Sequence, residues 1–368
     1  MLPGYATPTG TDSYRQRLAT TVHPLHFRRS ADLWLSSIGL GTYLGDPTPQ
    51  TDELYAAAIR QALVRGCNVL DAAINYRHQR SERVIGQVLT ALVREQVLER
   101  EEIVVATKGG YVAFDGDVPP DPRAYVQETV IKTGLASADD IVEWNCIAPH
   151  YIDNQVDCSL RNLNLDRLDI YYLHNPEAQL QKCSRPEFTR RIEAAFTVLE
   201  EKVASGKIRR YGTATWNGYR QQPTARDALF LIDLVEIAER VGGKDHHFKI
   251  VQLPYNLGMT EALTQKNQRV GDNTISVLEA AHDFGITVMA SASILQGRLA
   301  HSLPTTVSEA LSGLQSDAQR ALQFTRSTPG ITTALVGMKS VAHVEHNLAV
   351  AQLPPASLEQ FQKLFRPQ

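Results

Sequence analysis

The feature that most constrains the fold is a repeated alternation of short apolar segments with amphipathic segments. Each apolar segment has the length and composition of a buried strand, and a segment with helical periodicity follows it. Eight strands are predicted, at 36–43, 68–72, 101–108, 168–174, 207–214, 249–256, 286–292 and 332–337. The predicted helices lie at about 52–66, 81–93, a region ending near 163, 187–205, 225–241, 276–285, 316–327 and 341–350. Eight strand–helix units predict an α/β protein with a parallel (β/α)8 TIM barrel.

The segments outside this alternation complete the predicted organisation. Residues 1–22 are polar and predict a partly disordered N-terminal extension, and residues 23–368 are predicted to form a single barrel domain. The stretch 26–36 predicts a β-hairpin at the barrel bottom, and a closing helix is expected near 356–366. Long connections after strands are predicted, at 109–137, 255–272 and 295–315. Such connections lie at the C-terminal face of a barrel, where active sites are found.

Composition narrows the class of function. The chain has 368 residues, a formal charge of −3, 43% hydrophobic residues and 21% charged residues, which are ordinary values for a soluble globular protein. The near-neutral balance argues against nucleic acid as the main partner. No apolar run approaches the roughly 20 residues that span a bilayer, and the N-terminus lacks the apolar region of a secretory signal. The four cysteines show no metal-binding spacing and predict free thiols in a reducing, cytoplasmic compartment: Cys67, Cys146, Cys158 and Cys183.

Ionisable residues stand at the ends of three consecutive predicted strands. Asp71 ends the second strand, Lys108 the third and His174 the fourth. Tyr76 lies in the loop after Asp71. A phenol has a pKa of about 10, and a nearby ammonium group favours its ionised form. A carboxylate can hold that ammonium group, and a neutral imidazole can orient a carbonyl oxygen. Together these groups predict proton donation to a carbonyl oxygen as hydride reaches its carbon, or the reverse oxidation.

Each of these residues alone also has an ordinary structural interpretation. Asp71 could cap a helix, Tyr76 could fill the core, and Lys108 could be a charge at the rim. His174 could be a histidine whose hydrogen bonds are satisfied at a strand end. Their coincidence with the ends of adjacent strands is what favours a catalytic site.

Several segments, taken in order, resemble the aldo-keto reductase superfamily over roughly residues 33–349. The resemblance is carried by IGLGTY (38–43), NVLDAAINY (68–76), VVATK (104–108), SLRNLNLDRLDIYYLHNP (159–176), GKIRRYGTATW (206–216), VQLPYN (251–256), LQGRL (295–299) and LVGMKSVAHVEHNL (335–348). It implies a (β/α)8 barrel that reduces aldehydes or ketones with NADPH, sometimes NADH, and without a metal. It also implies that Tyr76 donates the proton and that Lys108 lowers its pKa. Asp71 would then anchor Lys108, and His174 would orient the substrate.

The same resemblance implies a dinucleotide site. Gln252 matches the glutamine that holds the nicotinamide carboxamide, and Thr215 is expected to replace the hydroxyl missing at Ala214. An aromatic residue that stacks on the nicotinamide is replaced by Ala292. The pyrophosphate loop and the adenosine end correspond to Ser293, Leu295, Gly297 and Arg298, and to Gly337, Lys339, Ser340, His343 and Asn347.

The adenosine end favours NADP (NADPH), with NAD as an alternative. A helix N-terminus suits phosphate, and Lys339 with Ser340 could hold a 2′-phosphate. His343 stands where many members that prefer NADP have arginine. A solvated Lys339 and a helix-capping Ser340 explain the same residues, and Arg298 could equally be a solvated surface charge.

Three further residues are candidates for substrate binding. Arg77 and Arg80 follow Tyr76, where many members of the superfamily have glycine, and we hypothesise that they bind an anionic or polyhydroxylated substrate. The alternative is that they pair with surface acids. Trp216 is expected to form part of the wall at the barrel mouth, and Ser81 is expected to cap the helix after the arginines.

The leading functional prediction is an NAD(P)H-dependent oxidoreductase that acts on a small-molecule carbonyl or alcohol. An NAD-linked aldose dehydrogenase is one alternative. Another is a cofactor-sensing regulatory subunit similar to the potassium-channel β subunits, which predicts tight cofactor binding with slow turnover. A third is a barrel lyase or isomerase, which predicts no nicotinamide binding.

Overall fold

The structure, a computed structural model, describes residues 1–365. These residues contain twelve strands: β1 (Phe27–Ser30), β2 (Leu33–Ser36), β3 (Ile38–Gly41), β4 (Val69–Asp71), β5 (Val104–Gly109), β6 (Leu168–His174), β7 (Ile208–Ala214), β8 (Phe248–Pro254), β9 (Gln268–Val270), β10 (Asn273–Ile275), β11 (Thr287–Ser291) and β12 (Ile331–Gly337). β3 to β8, β11 and β12 form a closed barrel in chain order, and each adjacent pair is parallel. The predicted (β/α)8 fold is therefore confirmed.

Helices connect the barrel strands and surround them. The α-helices within residues 1–365 are α1 (Pro8–Arg17), α2 (Pro49–Val64), α3 (Arg80–Arg94), α4 (Pro122–Val126), α5 (Pro149–Leu163), α6 (Arg185–Ala204), α7 (Leu231–Gly242), α8 (Glu261–Thr264), α9 (Val277–Asp283), α10 (Thr305–Ala310), α11 (Asp317–Ser327), α12 (Val341–Leu348) and α13 (Leu358–Lys363). Their apolar faces and the outer face of the barrel form one large core. None of these helices is long and apolar enough to cross a membrane.

Alternation along the strands fills the barrel interior. Successive side chains of a strand point to opposite faces of the sheet. One set packs as a separate apolar cluster that includes Val69, Val104, Ala106, Ile170, Tyr172, Ala214, Ile250, Met289 and Leu335. At the C-terminal ends the same alternation places Asp71, Lys108 and His174 in register with this set. The polar site therefore lies on top of a packed apolar interior.

The predicted hairpin is formed by β1 and β2, which pair antiparallel. Ala31 and Asp32 at its tip have φ values of 48° and 71°. Positive φ at both central residues is what the favoured two-residue hairpin turn requires. Leu33 is buried in the same cluster as Val69 and Val104 at the start of the barrel strands. The hairpin thus closes the barrel bottom, as predicted.

The N-terminal extension is folded against the barrel, so the expectation of partial disorder is wrong. Thr7 caps α1 by accepting a hydrogen bond from the Gly10 N–H. Tyr14 is buried and donates its hydroxyl to the Leu63 carbonyl at 2.5 Å. Tyr14, Leu18 and Val22 are all buried. Their spacing of four residues supplies an apolar stripe in a segment that is otherwise polar.

Several local predictions differ from the structure. The predicted connection 255–272 contains α8 and leads into a hairpin of β9 and β10. The connection 109–137 contains α4, which continues as a π-helical turn at Gln127–Ile131. Ser81 lies inside α3 and donates its hydroxyl to Thr42, so it does not cap the helix. Within the predicted closing helix, residue 366 lies outside the described residues.

Tyr14 tests the role of the extension in stability. Tyr14→Ala removes a buried aromatic ring and its hydrogen bond, so we expect the free energy of unfolding to fall by about 3 to 5 kcal/mol. Tyr14→Phe removes only the hydroxyl and should cost about 1 kcal/mol. Denaturant unfolding measures both, and Ser13→Ala, at an exposed position of the same helix, is the control. A fall of less than about 1 kcal/mol for Tyr14→Ala would mean that α1 is not docked.

Candidate active site

Three adjacent strands bring the predicted catalytic residues together. Asp71 and His174 are the last residues of β4 and β6, and Lys108 is the second-last residue of β5. β5 pairs with both neighbouring strands. Tyr76 comes from the loop after β4 and contacts both Lys108 and His174. Four residues from three separate segments of the chain thus share one end of the barrel.

A buried ion pair joins Asp71 and Lys108. The ammonium group of Lys108 is buried and donates to Asp71 Oδ2 at 2.7 Å and to the Ala72 carbonyl at 2.8 Å. Gln252 Nε2 donates to the other carboxylate oxygen, Oδ1, at 2.7 Å. Burial lowers the pKa of Lys108, but Asp71 and Tyr76 raise it more, so the net shift is upward. The ammonium group is therefore charged at neutral pH.

The ring of Tyr76 lies over this pair. Lys108 Nζ is 4.7 Å from its centroid, and Tyr43 packs against it edge-on at 4.9 Å. Burial raises the pKa of Tyr76, whereas Lys108 lowers it, and the net shift is upward. The predicted influence of Lys108 is present, but it does not overcome burial. The phenol is therefore protonated at neutral pH, which is the form that a proton donor needs.

His174 is held in its neutral form. Burial, and to a smaller degree Lys108, lower the pKa of His174 well below its ordinary value. Its Nδ1 is buried and has no hydrogen-bond partner among residues 1–365. The ring packs edge-on against Tyr76 at 5.8 Å and against Tyr111 at 5.0 Å. A neutral imidazole beside a phenol can hydrogen-bond an oxygen that lies between them.

A cavity of about 720 Å³ opens at this end of the barrel. Its volume lies in the range of sites for small molecules and cofactors, roughly 300 to 1,000 Å³. Three of the four predicted catalytic residues line it, and Lys108 lies behind Tyr76. Nine of the residues predicted to bind cofactor or substrate also line it: Thr215, Trp216, Gln252, Ser293, Gly297, Gly337, Lys339, His343 and Asn347.

The lining residues fit a nicotinamide dinucleotide. The cavity is lined both by Tyr76 and by His343 in the first turn of α12. Thr215 Oγ1 is buried and has no hydrogen-bond partner within residues 1–365. A Cβ atom added to Gly337 would have no atom within 4 Å, so the backbone there borders open space. The exposed Lys339 adds positive charge at the same end.

Three predicted cofactor residues do not line the cavity: Leu295, Arg298 and Ser340. Ser340 instead caps α12 by accepting a hydrogen bond from the His343 N–H at 3.3 Å. Arg298 is exposed, as expected for a solvated charge. For both residues the ordinary structural alternative describes the geometry.

Arg77 and Arg80 do not line the cavity either. Both pair with Asp52 in the first turn of α2, and the Arg80–Asp52 distance is 2.9 Å. The Arg77 side chain is 1% exposed, and its guanidinium group lies 4.9 Å from the Tyr55 ring centroid. This corrects the hypothesis that they bind substrate, because their charged groups are already engaged by an acid of the chain.

Sequence reasoning missed several lining residues. Tyr43, Tyr111 and Asn175 all line the cavity, and Asn175 Nδ2 donates to the Tyr111 hydroxyl at 3.3 Å. Tyr43 and Tyr111 lie two residues after β3 and β5, and Asn175 directly follows β6. Their position just beyond strand ends is the signal that could have found them.

A buried carboxylate shapes the wall that contains Trp216. Glu177 Oε1 accepts hydrogen bonds from the backbone N–H groups of Trp216, Asn217 and Gly218 at 2.8, 3.0 and 3.2 Å. Glu177 itself follows β6, so this contact ties the loop after β6 to the loop after β7.

Among residues 1–365, no three His, Cys, Asp or Glu side chains are placed to hold a metal ion.

Comparison with known proteins identifies the class. Residues 37–366 match the sequence model described as the aldo/keto reductase family. The match covers most of the chain, so the chain belongs to the aldo/keto reductase family. The predicted class, an NAD(P)H-dependent oxidoreductase, is confirmed at the level of this family.

The individual relatives have low sequence identity to this chain. The chain is 31% identical to the NADH-specific methylglyoxal reductase of Escherichia coli K12 over 190 residues, which is 50% of each chain. It is 25% identical to the methylglyoxal reductase YeaE of the same strain over 335 residues, 90% of each. An aldo/keto reductase from Klebsiella pneumoniae, solved with NADP and acetate, superimposes with a TM-score of 0.62 at 22% identity, covering 92% of this chain and 93% of that one. The structural likeness shows the shared fold.

The neutral state of His174 can be measured. Because its pKa is lowered, we expect the native ring to stay neutral across the range of about pH 5 to 8 in which an ordinary histidine takes up a proton. The carbon NMR signal of His174, assigned by its loss in His174→Gln, should not titrate in this range. Below the ordinary pKa the unfolded chain then binds more protons than the native one, so His174 makes stability fall as pH falls. A midpoint near 6.5 would contradict this assignment.

Proposed function

We propose that this protein reduces the carbonyl group of an aldehyde or ketone to an alcohol with NADPH, with NADH as an alternative donor. The observation that carries the proposal is the contact of Tyr76 with both Lys108 and His174 at the wall of a cavity of about 720 Å³. The same residues suit the reverse oxidation of an alcohol. A small molecule is the proposed substrate, and a cytoplasmic location stays a prediction.

The proposed chemistry follows from the protonation state of each residue. Tyr76 is protonated at neutral pH and would donate its proton to the carbonyl oxygen. The neutral His174 would hold that oxygen beside the phenol by a hydrogen bond. Lys108 is charged and would stabilise the phenolate that remains after the transfer. A bound nicotinamide would supply the hydride for the carbonyl carbon.

Two lines of support favour a nicotinamide dinucleotide in the cavity. Thr215 offers a buried hydroxyl without a partner among residues 1–365, and Gln252 lines the same cavity. These two side chains are proposed to hold the carboxamide group. The Klebsiella pneumoniae structure contains NADP, and one E. coli relative is described as NADH-specific. NADP is favoured because Lys339 could pair with a 2′-phosphate.

The proposed proton donor is tested by Tyr76→Phe. General acid catalysis contributes about 10²- to 10⁴-fold, so we expect kcat to fall by that factor while cofactor binding persists. The assay is NADPH or NADH consumption with a panel of aldehydes, ketones and aldoses that includes methylglyoxal. Tyr255→Phe is the matched control, because it removes a buried hydroxyl outside the cavity.

Each result of this assay has a definite meaning. Turnover by the native chain and the Tyr255→Phe variant, and loss in Tyr76→Phe, would support the proposal. Full activity in Tyr76→Phe would contradict the role of Tyr76. Cofactor binding without turnover of any substrate would favour a cofactor-sensing subunit. Binding of neither cofactor would contradict the oxidoreductase proposal.

Cofactor preference is tested by Lys339→Met. If Lys339 pairs with a 2′-phosphate, the loss of one charge-assisted contact should weaken NADPH binding about tenfold. Binding of NADH, which lacks that phosphate, should change less than about twofold. Quenching of protein fluorescence on titration with each cofactor gives the dissociation constants. An equal effect on both cofactors would assign Lys339 to the shared part of the dinucleotide or to solvent.

A further inference from the structure

The turn directly after Tyr76 adopts a backbone that its residues disfavour. Arg77, His78 and Gln79 have φ values of 47°, 54° and 71°. The left-handed region suits glycine, because a Cβ atom there approaches the following carbonyl oxygen. Three consecutive residues with side chains in this region persist only when surrounding contacts hold them. The contacts of this turn therefore bear on how Tyr76 is held.

Arg77 makes the contacts on one side of the turn. Its side chain is 1% exposed and pairs with Asp52 in the first turn of α2. Its guanidinium group lies over the ring of Tyr55, 4.9 Å from the centroid. A buried guanidinium group that lost its carboxylate would be strongly unfavourable. The ion pair therefore fixes the start of the turn against α2.

These contacts lead back to the ring of Tyr76. The hydroxyl of Tyr55 donates to the Leu44 carbonyl at 2.6 Å. The residue before Leu44 is Tyr43, whose ring packs edge-on against Tyr76 at 4.9 Å. Covalent bonds and contacts thus form a closed circuit that runs from Tyr76 through Arg77, Tyr55, Leu44 and Tyr43 and returns to the ring of Tyr76. The ring of Tyr76 is held both through its own backbone and through its neighbour.

The other side of the turn is held separately. The His78 carbonyl accepts a hydrogen bond from the Gly116 N–H at 2.9 Å, and Gln79 Nε2 donates to the Phe114 carbonyl at 3.0 Å. These contacts connect the turn to the loop after β5. They hold the far end of the turn without involving the side chain of Arg77.

We infer that Arg77, Asp52 and Tyr55 form a clamp that positions the ring of Tyr76 for proton donation, an inference that rests on the function proposed above. We call these three residues the Arg77 clamp. Arg77 is a positioning residue, because its side chain does not line the cavity. The charge of Arg77 is paired with Asp52, so the clamp influences Tyr76 through the position of its ring and not through an electrostatic effect of the guanidinium group.

The test compares Arg77→Met, Arg77→Lys and Asp52→Asn with the native full-length chain, using NADPH and the best substrate from the panel. Small displacements of a reacting group cost up to about 100-fold in rate. We expect kcat of Arg77→Met to fall about tenfold or more, while the dissociation constant of NADPH changes less than about twofold. The solvent deuterium isotope effect on kcat should rise, because proton donation becomes more limiting. Arg77→Lys should restore part of kcat.

Two further variants separate the clamp from general stability. The double variant Asp52→Asn/Arg77→Met should lose no more kcat than the worse single variant, because both substitutions break the Arg77–Asp52 pair and the loss of the Arg80–Asp52 pair is already present in Asp52→Asn. His78→Gly changes the same turn and leaves the clamp intact, so its kcat should stay within about twofold of the native value. Thermal unfolding and titration of NADPH-binding sites ensure that each kcat refers to folded protein.

Three outcomes would overturn the inference: an unchanged kcat in folded Arg77→Met, equal losses of kcat and NADPH affinity, or a His78→Gly variant as impaired as Arg77→Met. The proposed function fails differently. It would fail if the native chain turned over no carbonyl substrate or if Tyr76→Phe kept full activity. If the native chain is active, Tyr76→Phe abolishes that activity and Arg77→Met does not change it, then the clamp inference is rejected and the proposed function is retained.

Discussion

The buried ion pair of Asp71 and Lys108 is the interaction on which the site depends. An ammonium group above an apolar barrel interior is costly unless it is paired and hydrogen-bonded. Asp71 and the Ala72 carbonyl supply those partners, and Gln252 occupies the second carboxylate oxygen. Gln252 belongs to β8, which is not adjacent to β4 in the sheet, so this hydrogen bond crosses the barrel mouth. The charge of Lys108 therefore requires a closed barrel and not merely neighbouring strands.

Burial and neighbouring charges both shift the pKa values of the titrating groups, and their balance differs at each group. For Lys108 the neighbouring acids outweigh burial, and the ammonium group stays charged. For Tyr76 burial outweighs the ammonium group, and the phenol stays protonated. For His174 burial and Lys108 act together, and the imidazole stays neutral. The resulting protonation states of these three groups suit the reduction of a carbonyl group. The phenol needs its proton, and the imidazole must not compete as a charged donor.

The sequence predicted the parts of the fold that follow a period. The barrel strands and the residues at their ends obey the alternation of a sheet, so Asp71, Lys108 and His174 could be placed together. The partner of Arg77 could not be predicted, because Asp52 lies 25 residues away with no pattern linking them. The conformation of the loop after β11 could not be predicted from the sequence either. Leu295, Gln296 and Gly297 all have positive φ there. Without a regular repeat, nothing in the sequence distinguishes Gly297, which lines the cavity, from Leu295, which does not.

Ala292 lines the proposed cofactor site and offers no ring for stacking, which places more weight on hydrogen bonding there. One N–H of Gln252 Nε2 donates to Asp71, and the amide oxygen of Gln252 is available as an acceptor. The hydroxyl of Thr215 has no partner among residues 1–365 and can donate. One acceptor and one donor complement the two ends of a carboxamide. In the proposed function the group that orients the nicotinamide is therefore also the group that satisfies Asp71. Cofactor orientation and the anchoring of Lys108 would share one side chain, so a change at Gln252 would disturb both together.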